Sequence, residues 1–207
     1  MKTPRFRHSL FIILVVIVLL GGVILVDYLV QLGRSEGKVQ PGTEAQIGGA
    51  FTLLDQTGRR VSERDFADKY KLIFFGFTHC PDVCPTALSK MSQVLRLLGP
   101  RSEQLYPLFI TVDPERDSPE RLHYYSQSFA PGIVYLTGTE AEIKPVLEAW
   151  KATRAKIAAA SGGAEAYAMT HSSLIYLMTP DNRLAQAYTW EDSPEDMVKS
   201  LGRWLTD

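Results

Sequence analysis

The chain has 207 residues, and its 22 Lys and Arg nearly balance its 23 Asp and Glu, which gives a formal net charge of −1. This balance provides no broad basic face, so the sequence argues against nucleic acid as a partner. Apolar residues make up 45% of the chain, which is enough for a hydrophobic core and unlike a disordered protein. With only two cysteines, the chain is also not a small domain held together by several disulfides.

The N-terminal part contains a long apolar segment. Residues 10–30 are apolar or glycine except for Asp27, and as a helix they would span a bilayer core of roughly 30 Å. Lys and Arg residues precede the segment, which favours a cytoplasmic tail of residues 1–9. We predict a single-pass inner-membrane anchor at 10–30, a tether at 31–47, and a C-terminal domain in the periplasm, or in the intermembrane space if the protein is mitochondrial. A cleaved signal peptide is the alternative. Its apolar core is usually shorter than this segment, and the A-x-A-like cleavage site that would follow it is absent here.

Residues 48–207 alternate between strand and helix patterns. Apolar runs predict strands at 50–54, around Val61, and at 71–77, 105–112, 133–136, 169–178 and 184–188. Amphipathic spacing and capping signals predict helices at 85–98, from Ser118-Pro119, from Thr139 to Trp150, and from Ser193-Pro194 to Leu205. Residues 154–168 are predicted to form a loop. This order is typical of an α/β thioredoxin-like domain with an N-terminal hairpin.

Both cysteines lie between the predicted central strand and the first long helix, in the sequence Phe77-Thr78-His79-Cys80-Pro81-Asp82-Val83-Cys84-Pro85. Because Pro85 suits the first helical position, we predict Cys84 at the N-cap, where unpaired backbone N–H groups favour a thiolate. Pro81 biases Cys80 towards an extended conformation. We therefore expect both sulfurs to project from one exposed tip of the domain.

Such a pair suits two chemistries, thiol–disulfide exchange and the binding of a metal by two soft donors. Redox motifs usually have two residues between the cysteines, whereas here there are three. The wider loop can still close a disulfide, and it also opens the angle between two sulfurs that share one ion. The spacing alone leaves both chemistries open.

A metal other than linear Cu(I) needs a further donor, and the chain has four histidines. His8 falls in the predicted tail, His123 in a polar helix, and His79 beside the first cysteine, where we expect a surface or supporting position. His171 lies where a long loop enters a strand, and in a thioredoxin-like sheet this segment passes beside the cysteine loop. It is therefore the candidate third donor, with a core or edge histidine as the alternative.

Three segments resemble the Sco/SenC family: Phe74 to Pro85 (FFGFTHCPDVCP), Thr111 to Pro119 (TVDPERDSP) and His171-Ser172. The resemblance extends over roughly residues 48–205. It implies that copper, as Cu(I) or Cu(II), is bound by the three residues Cys80, Cys84 and His171. It further implies delivery of this copper to the binuclear copper site of cytochrome c oxidase subunit II. The family often has an aspartate just before the histidine, and Thr170 takes that place here, which bears on affinity or partner choice.

The ligand set implied by the resemblance is soft, which suits Cu(I), whereas zinc usually takes four ligands. Met169, two residues before His171, can face the same side of a strand as an extra soft ligand or shield, or be a core methionine. The acidic segment Asp113 to Asp117 has two interpretations. It is either a solvated turn with a helix cap, or a segment whose Asp113 or Asp117 supports the site or docks a partner.

An enzymatic function is the main alternative to a copper chaperone. Cys80 and Cys84 would then be the redox pair of a thiol–disulfide reductase that keeps the recipient's cysteines reduced, and His171 would be dispensable. Under either function we expect other copper chaperones or thiol reductants as further partners, because an exported dithiol can oxidise. A peroxiredoxin-like peroxidase would need one cysteine as the nucleophile, and the sequence singles out neither.

Overall fold

A computed structural model describes residues 21–22, 47–158, 167–189 and 191–205. The predicted tail lies outside these ranges, as do the anchor and tether apart from positions 21–22 and 47. The chain divides into two units, Met1–Glu44 and Ala45–Asp207, and the elements below belong to the second. Among the described residues, no helix has both the length and the apolar character needed to cross a membrane.

The second unit alternates strands and helices as the sequence predicts. The strands are β1 Thr52–Asp55, β2 Arg60–Ser62, β3 Tyr70–Gly76, β4 Leu105–Thr111, β5 Val134–Thr137, β6 Arg154–Ala158, β7 Tyr167–His171, β8 Ile175–Met178 and β9 Leu184–Tyr188. The α-helices are α1 Val83–Leu98, α2 Pro119–Ser126, α3 Glu140–Ala149 and α4 Pro194–Leu201, and 3₁₀ turns lie at Glu63–Phe66 and Gly99–Gln104.

Seven strands form one sheet in the order β2-β1-β5-β4-β3-β8-β9. Strand β3 lies inside it, parallel to β4 and antiparallel to β8. Residues 71–76 are all buried, because a strand covered on both faces needs a continuous apolar run rather than an alternating one. The antiparallel pair β1–β2 is the predicted N-terminal hairpin. These features confirm a mixed α/β domain and place the end of β3, where the cysteine loop begins, in the hydrophobic core.

Three helices begin where their capping signals predict. The side chains of Ser118, Thr139 and Ser193 each accept a hydrogen bond from a backbone N–H in the first turn of α2, α3 and α4. Each cap satisfies an N–H group that has no partner within its helix.

Two predictions about the segment 154–178 are wrong. Residues 154–158 and 167–171 pair as the antiparallel strands β6 and β7 in a separate two-stranded sheet, instead of forming a loop. The predicted single strand 169–178 is divided. Its first part pairs with β6, a pairing that the bond from Ser172 N–H to Thr153 O at 3.1 Å continues, and its second part joins the main sheet as β8. The side chains of residues 155–157 are exposed, so β6 lacks the apolar alternation by which a strand is recognised.

Candidate metal centre

The cysteine loop leaves the end of β3 through a turn in which Cys80 N–H donates to Phe77 O at 3.3 Å. Helix α1 then begins at Val83, with Asp82 at its N-cap. The prediction that Cys84 is the N-cap is therefore wrong, and Cys84 lies within the first turn. Pro85 occupies the third helical position, which is equally compatible with proline because the first-turn N–H groups have no partners inside the helix.

Cys84 is fully buried, so the expectation of two sulfurs at an exposed tip holds only for Cys80, which is partly exposed. The Sγ atom of Cys84 accepts a hydrogen bond from Phe77 N–H at 3.4 Å. The residue that makes room for it is Gly76. A Cβ atom at Gly76 would lie 2.8 Å from Cys84 Sγ and from ring atoms of Phe74 and Phe109. Only glycine allows the sulfur to sit this close to the strand.

His171, the last residue of β7, faces this sulfur. Its Nε2 lies 3.3 Å from Cys84 Sγ, and its Nδ1 lies 2.8 Å from Ser172 O. Because a carbonyl oxygen only accepts, Nδ1 carries a hydrogen, and Nε2 is the ring nitrogen directed at the sulfur. The rings of Phe74 and Phe77 contact the imidazole edge-on, with centroid distances of 5.8 and 5.6 Å. This packing fixes the direction of Nε2.

Three donor groups thus meet at one place. The sulfur atoms of Cys80 and Cys84 and a ring nitrogen of His171 all lie within 4.8 Å of one another. The structure therefore brings together the three site residues that the sequence singles out. Two sulfurs and one imidazole nitrogen are a donor set that suits a soft or borderline metal ion, and neither cysteine is in a disulfide.

The two sulfurs differ in their protonation. The hydrogen bond from the Cys84 side chain, above all, lowers the pKa of Cys80 from its ordinary 9.0 to about 3, and His171 and the N–H groups of Cys84 and Asp82 add to this. The same pairing with Cys80, together with burial, raises the pKa of Cys84. The thiolate is therefore at Cys80, not at Cys84 as the sequence suggests. The helix N-terminus still contributes, because Cys84 N–H points at Cys80 Sγ at 3.4 Å.

A buried carboxylate holds the start of the cysteine loop. Asp117 accepts hydrogen bonds from Thr78 N–H at 3.1 Å, from Thr78 Oγ1 at 2.6 Å and from Thr111 Oγ1 at 2.6 Å. Burial raises the pKa of Asp117, and these hydrogen bonds oppose the rise. Asp113 is buried as well, so the solvated-turn interpretation is wrong for both carboxylates. Asp117 thus fixes Thr78 at the start of the cysteine loop.

A second group of contacts attaches the β6–β7 hairpin to the loop after β4. The guanidinium of Arg116 stacks 3.7 Å over the ring of Tyr167 and donates to Tyr167 O at 3.1 Å. Asp113 accepts from Arg116 Nε and from the Tyr167 hydroxyl, both at 2.5 Å. We call Asp113, Arg116 and Tyr167 the hairpin clamp. Sequence reasoning missed Arg116 and Tyr167, although the period-two spacing of Tyr167, Met169 and His171 was a signal for a strand.

The other two histidines in the described part of the chain, His79 and His123, take no part in this cluster. His79 is exposed, with its ring nitrogens near Thr78 Oγ1 and Arg121 Nη2. Partial loss of solvent around the ring, followed by the Arg121 charge, lowers its pKa. His123 is exposed on α2. Both positions agree with the sequence analysis, and His8 lies outside the described residues.

Comparison with known proteins gives consistent matches. The family model described as SCO1/SenC matches residues 39–206. The protein sco1 of Schizosaccharomyces pombe is 37% identical over 160 residues, which cover 77% of this chain and 61% of that protein. A SCO2-like protein of Rickettsia conorii is 34% identical over 202 residues, which cover 95% of this chain and 98% of that one.

A solved structure agrees with these matches. The copper-bound structure of Bradyrhizobium japonicum ScoI is 42% identical and superposes with a TM-score of 0.71, covering 77% of this chain and 99% of that one. This similarity supports the predicted thioredoxin-like fold. The extent of the family match and the identity to these relatives lead to one conclusion: the chain belongs to the SCO1/SenC family.

Proposed function

We propose that this protein is a copper chaperone in which Cys80, Cys84 and His171 bind one copper ion and pass it to the binuclear copper site of cytochrome c oxidase subunit II. The observation that carries the proposal is the approach of three donor atoms to within 4.8 Å of one another. Copper fits a set of two sulfurs and one imidazole, and a relative at 42% identity is described with copper bound. The recipient is the one that the Sco/SenC resemblance implies.

Each donor is prepared differently for the ion. Cys80 is already a thiolate, and His171 directs Nε2 at the Cys84 sulfur while Ser172 O holds the hydrogen on Nδ1. Cys84, whose pKa is raised, must lose its proton on binding, so copper affinity rises with pH. The partly exposed Cys80 gives a recipient ligand a side from which to enter, which a carrier requires.

The N-terminal part of the proposal concerns location. Residues 10–30 anchor the protein in the inner membrane, with residues 1–9 in the cytoplasm and the domain in the periplasm or the intermembrane space. The tether 31–47 confines the domain near the membrane surface, which raises its effective concentration at a membrane-bound recipient. In that compartment an upstream copper chaperone or a thiol reductant must supply copper and keep the cysteine pair reduced.

The proposal is tested by replacing the histidine. His171→Ala removes one of three donors, and we expect Cu(I) affinity, measured by competition with a chromophoric chelator, to fall at least about 100-fold. His79→Ala is the matched control, because His79 adjoins Cys80 but is exposed outside the cluster, and it should leave affinity unchanged. Unchanged copper affinity in His171→Ala would refute the site.

A second candidate function is supported by the difference between the two sulfurs. A thiol–disulfide reductase needs one accessible thiolate and one resolving thiol, which are the states of Cys80 and Cys84. Cys80 would attack a disulfide of the recipient, one recipient thiolate would leave, and deprotonated Cys84 would release the second while the Cys80–Cys84 disulfide forms. An external dithiol would then reduce this bond. Exchange should survive His171→Ala, so the same variant separates the two functions.

A further inference from the structure

One face of strand β7 carries the third donor, His171, together with two other side chains. Side chains alternate along a strand, so Tyr167, Met169 and His171 share one face. His171 on this face reaches Cys84 at 3.3 Å, and Tyr167 stacks against Arg116. Met169 between them is only 8% exposed, whereas Thr170 on the other face is exposed. The face that carries the third donor therefore also buries a thioether.

The Met169 side chain lines the same cavity as Cys80. This cavity has a volume of about 320 Å³, and its walls include Phe77, Cys80 and Pro81 from the cysteine loop and Tyr167 and Met169 from β7. Cys80 is the partly exposed sulfur of the donor set. A thioether and a thiolate thus face one space, which is large enough for an ion and an incoming ligand group.

We propose that Met169 Sδ is a fourth ligand of Cu(I), beside the two cysteine sulfurs and the imidazole; the inference rests on the copper site of the proposed function. A thioether is a soft, neutral donor that favours Cu(I) over Zn²⁺. Methionine has three rotatable bonds, so its sulfur can approach an ion from the cavity wall without movement of the strand. As the weakest of the four ligands, it is the first to yield when a recipient's ligand enters the cavity.

Selenium labelling tests this contact directly. The full-length protein, reduced and carrying selenomethionine at its five methionine positions, is loaded with one equivalent of Cu(I) and studied by X-ray absorption at the selenium edge. We expect a copper neighbour around selenium in the unsubstituted protein and its loss in Met169→Leu. Met178→Leu is the matched control, since Met178 is buried and pairs with Lys71 at the opposite end of β3 from the cysteine loop. A selenium signal without copper, or one that survives Met169→Leu, would overturn the inference.

Affinity gives an independent measure. Leucine is close to methionine in volume, so Met169→Leu keeps the fold while removing the sulfur. We expect Cu(I) affinity to fall about tenfold, or about 1.4 kcal/mol, with Zn²⁺ affinity unchanged and with neither affected in Met178→Leu. Equal Cu(I) affinity in Met169→Leu and in the unsubstituted protein would make Met169 an apolar wall residue and leave the three-donor site intact. Failure of the proposed function would give a different result, because the copper affinity of His171→Ala would then equal that of the unsubstituted protein.

Discussion

The two halves of the metal centre are built differently. Cys84 lies in the main core, at the start of α1 and against the buried strand β3, where no space remains between its sulfur and Gly76. His171 comes from the separate two-stranded sheet β6–β7, whose outer side chains, such as Ile157, are exposed. Close packing positions the first donor, whereas polar and stacking contacts on the hairpin help to position the second. Substitutions that disturb the packing around Cys84 should therefore abolish the site, and those in the contacts that hold the hairpin, outside His171 itself, should tune it.

The largest expected effect is in the cysteine half, from Gly76→Ala. The added Cβ would meet Cys84 Sγ and two phenylalanine rings at 2.8 Å each, and none of these is the loose end of a flexible side chain. Overpacking of this kind costs about 1–3 kcal/mol. We expect a loss of stability in that range by chemical denaturation, together with loss of tight copper binding as Cys84 is displaced.

Gly202→Ala serves as the matched control for this substitution. A Cβ at Gly202 meets only ordinary contacts at 3.5 Å or more, and its φ of −59° suits alanine. It should leave both stability and copper affinity unchanged. Tight copper binding by Gly76→Ala would show that the packed half tolerates movement of its sulfur, and the comparison between the halves would fail.

A smaller effect is expected in the hairpin half, from Arg116→Gln. This change removes the stacking on Tyr167 and the charge pair with Asp113, while the main sheet stays intact. We expect Cu(I) affinity to fall about tenfold, within the range for groups that orient a ligand. The X-ray absorption spectrum of the bound copper should change as well, because His171 is held less firmly. Arg116→Lys should restore only part of the affinity.

The control for the clamp is Glu115→Gln, which breaks another contact of the same hairpin and leaves Lys156 in place over the Tyr167 ring. Lys156 pairs with Glu115 at 2.6 Å, and both side chains are about half exposed. An exposed ion pair contributes about 0–1 kcal/mol, so this variant should bind copper almost normally. An effect as large as that of Arg116→Gln would mean that any loosening of the hairpin matters, and that the clamp has no special role.

The smallest perturbation separates the two sulfurs without disturbing the fold. The pKa of Cys80 is lowered to about 3, so its alkylation by iodoacetamide should stay nearly constant from neutral pH down to about pH 4 and slow as the thiolate is protonated below that. Cys84, buried and with a raised pKa, should remain unmodified. In Cys84→Ala the hydrogen bond that mainly lowers this pKa is lost, so the pH dependence of Cys80 should shift upwards. Preferential labelling of Cys84 by mass spectrometry would contradict this difference.

The same division explains how much of the molecule the sequence predicts. The strands and helices around the cysteines are predicted because burial on both faces and capping residues leave strong local patterns, as in β3 and at Ser118. The β6–β7 hairpin is missed because its exposed side chains carry no apolar alternation. The protonation of the two sulfurs is also missed, since it depends on burial and on a Cys80–Cys84 hydrogen bond that exist only in the folded chain. His171 is singled out nonetheless, because its place before a sheet strand and the family resemblance agree.

The most direct test of the central claim is the crystal structure of the full-length protein loaded with one equivalent of Cu(I). The account predicts one copper ion bonded to Cys80 Sγ, Cys84 Sγ and His171 Nε2, with the hairpin clamp intact and His171 Nδ1 still bonded to Ser172 O. A copper ion held by the two sulfurs alone, with His171 turned away, or one bound elsewhere on the domain, would contradict it.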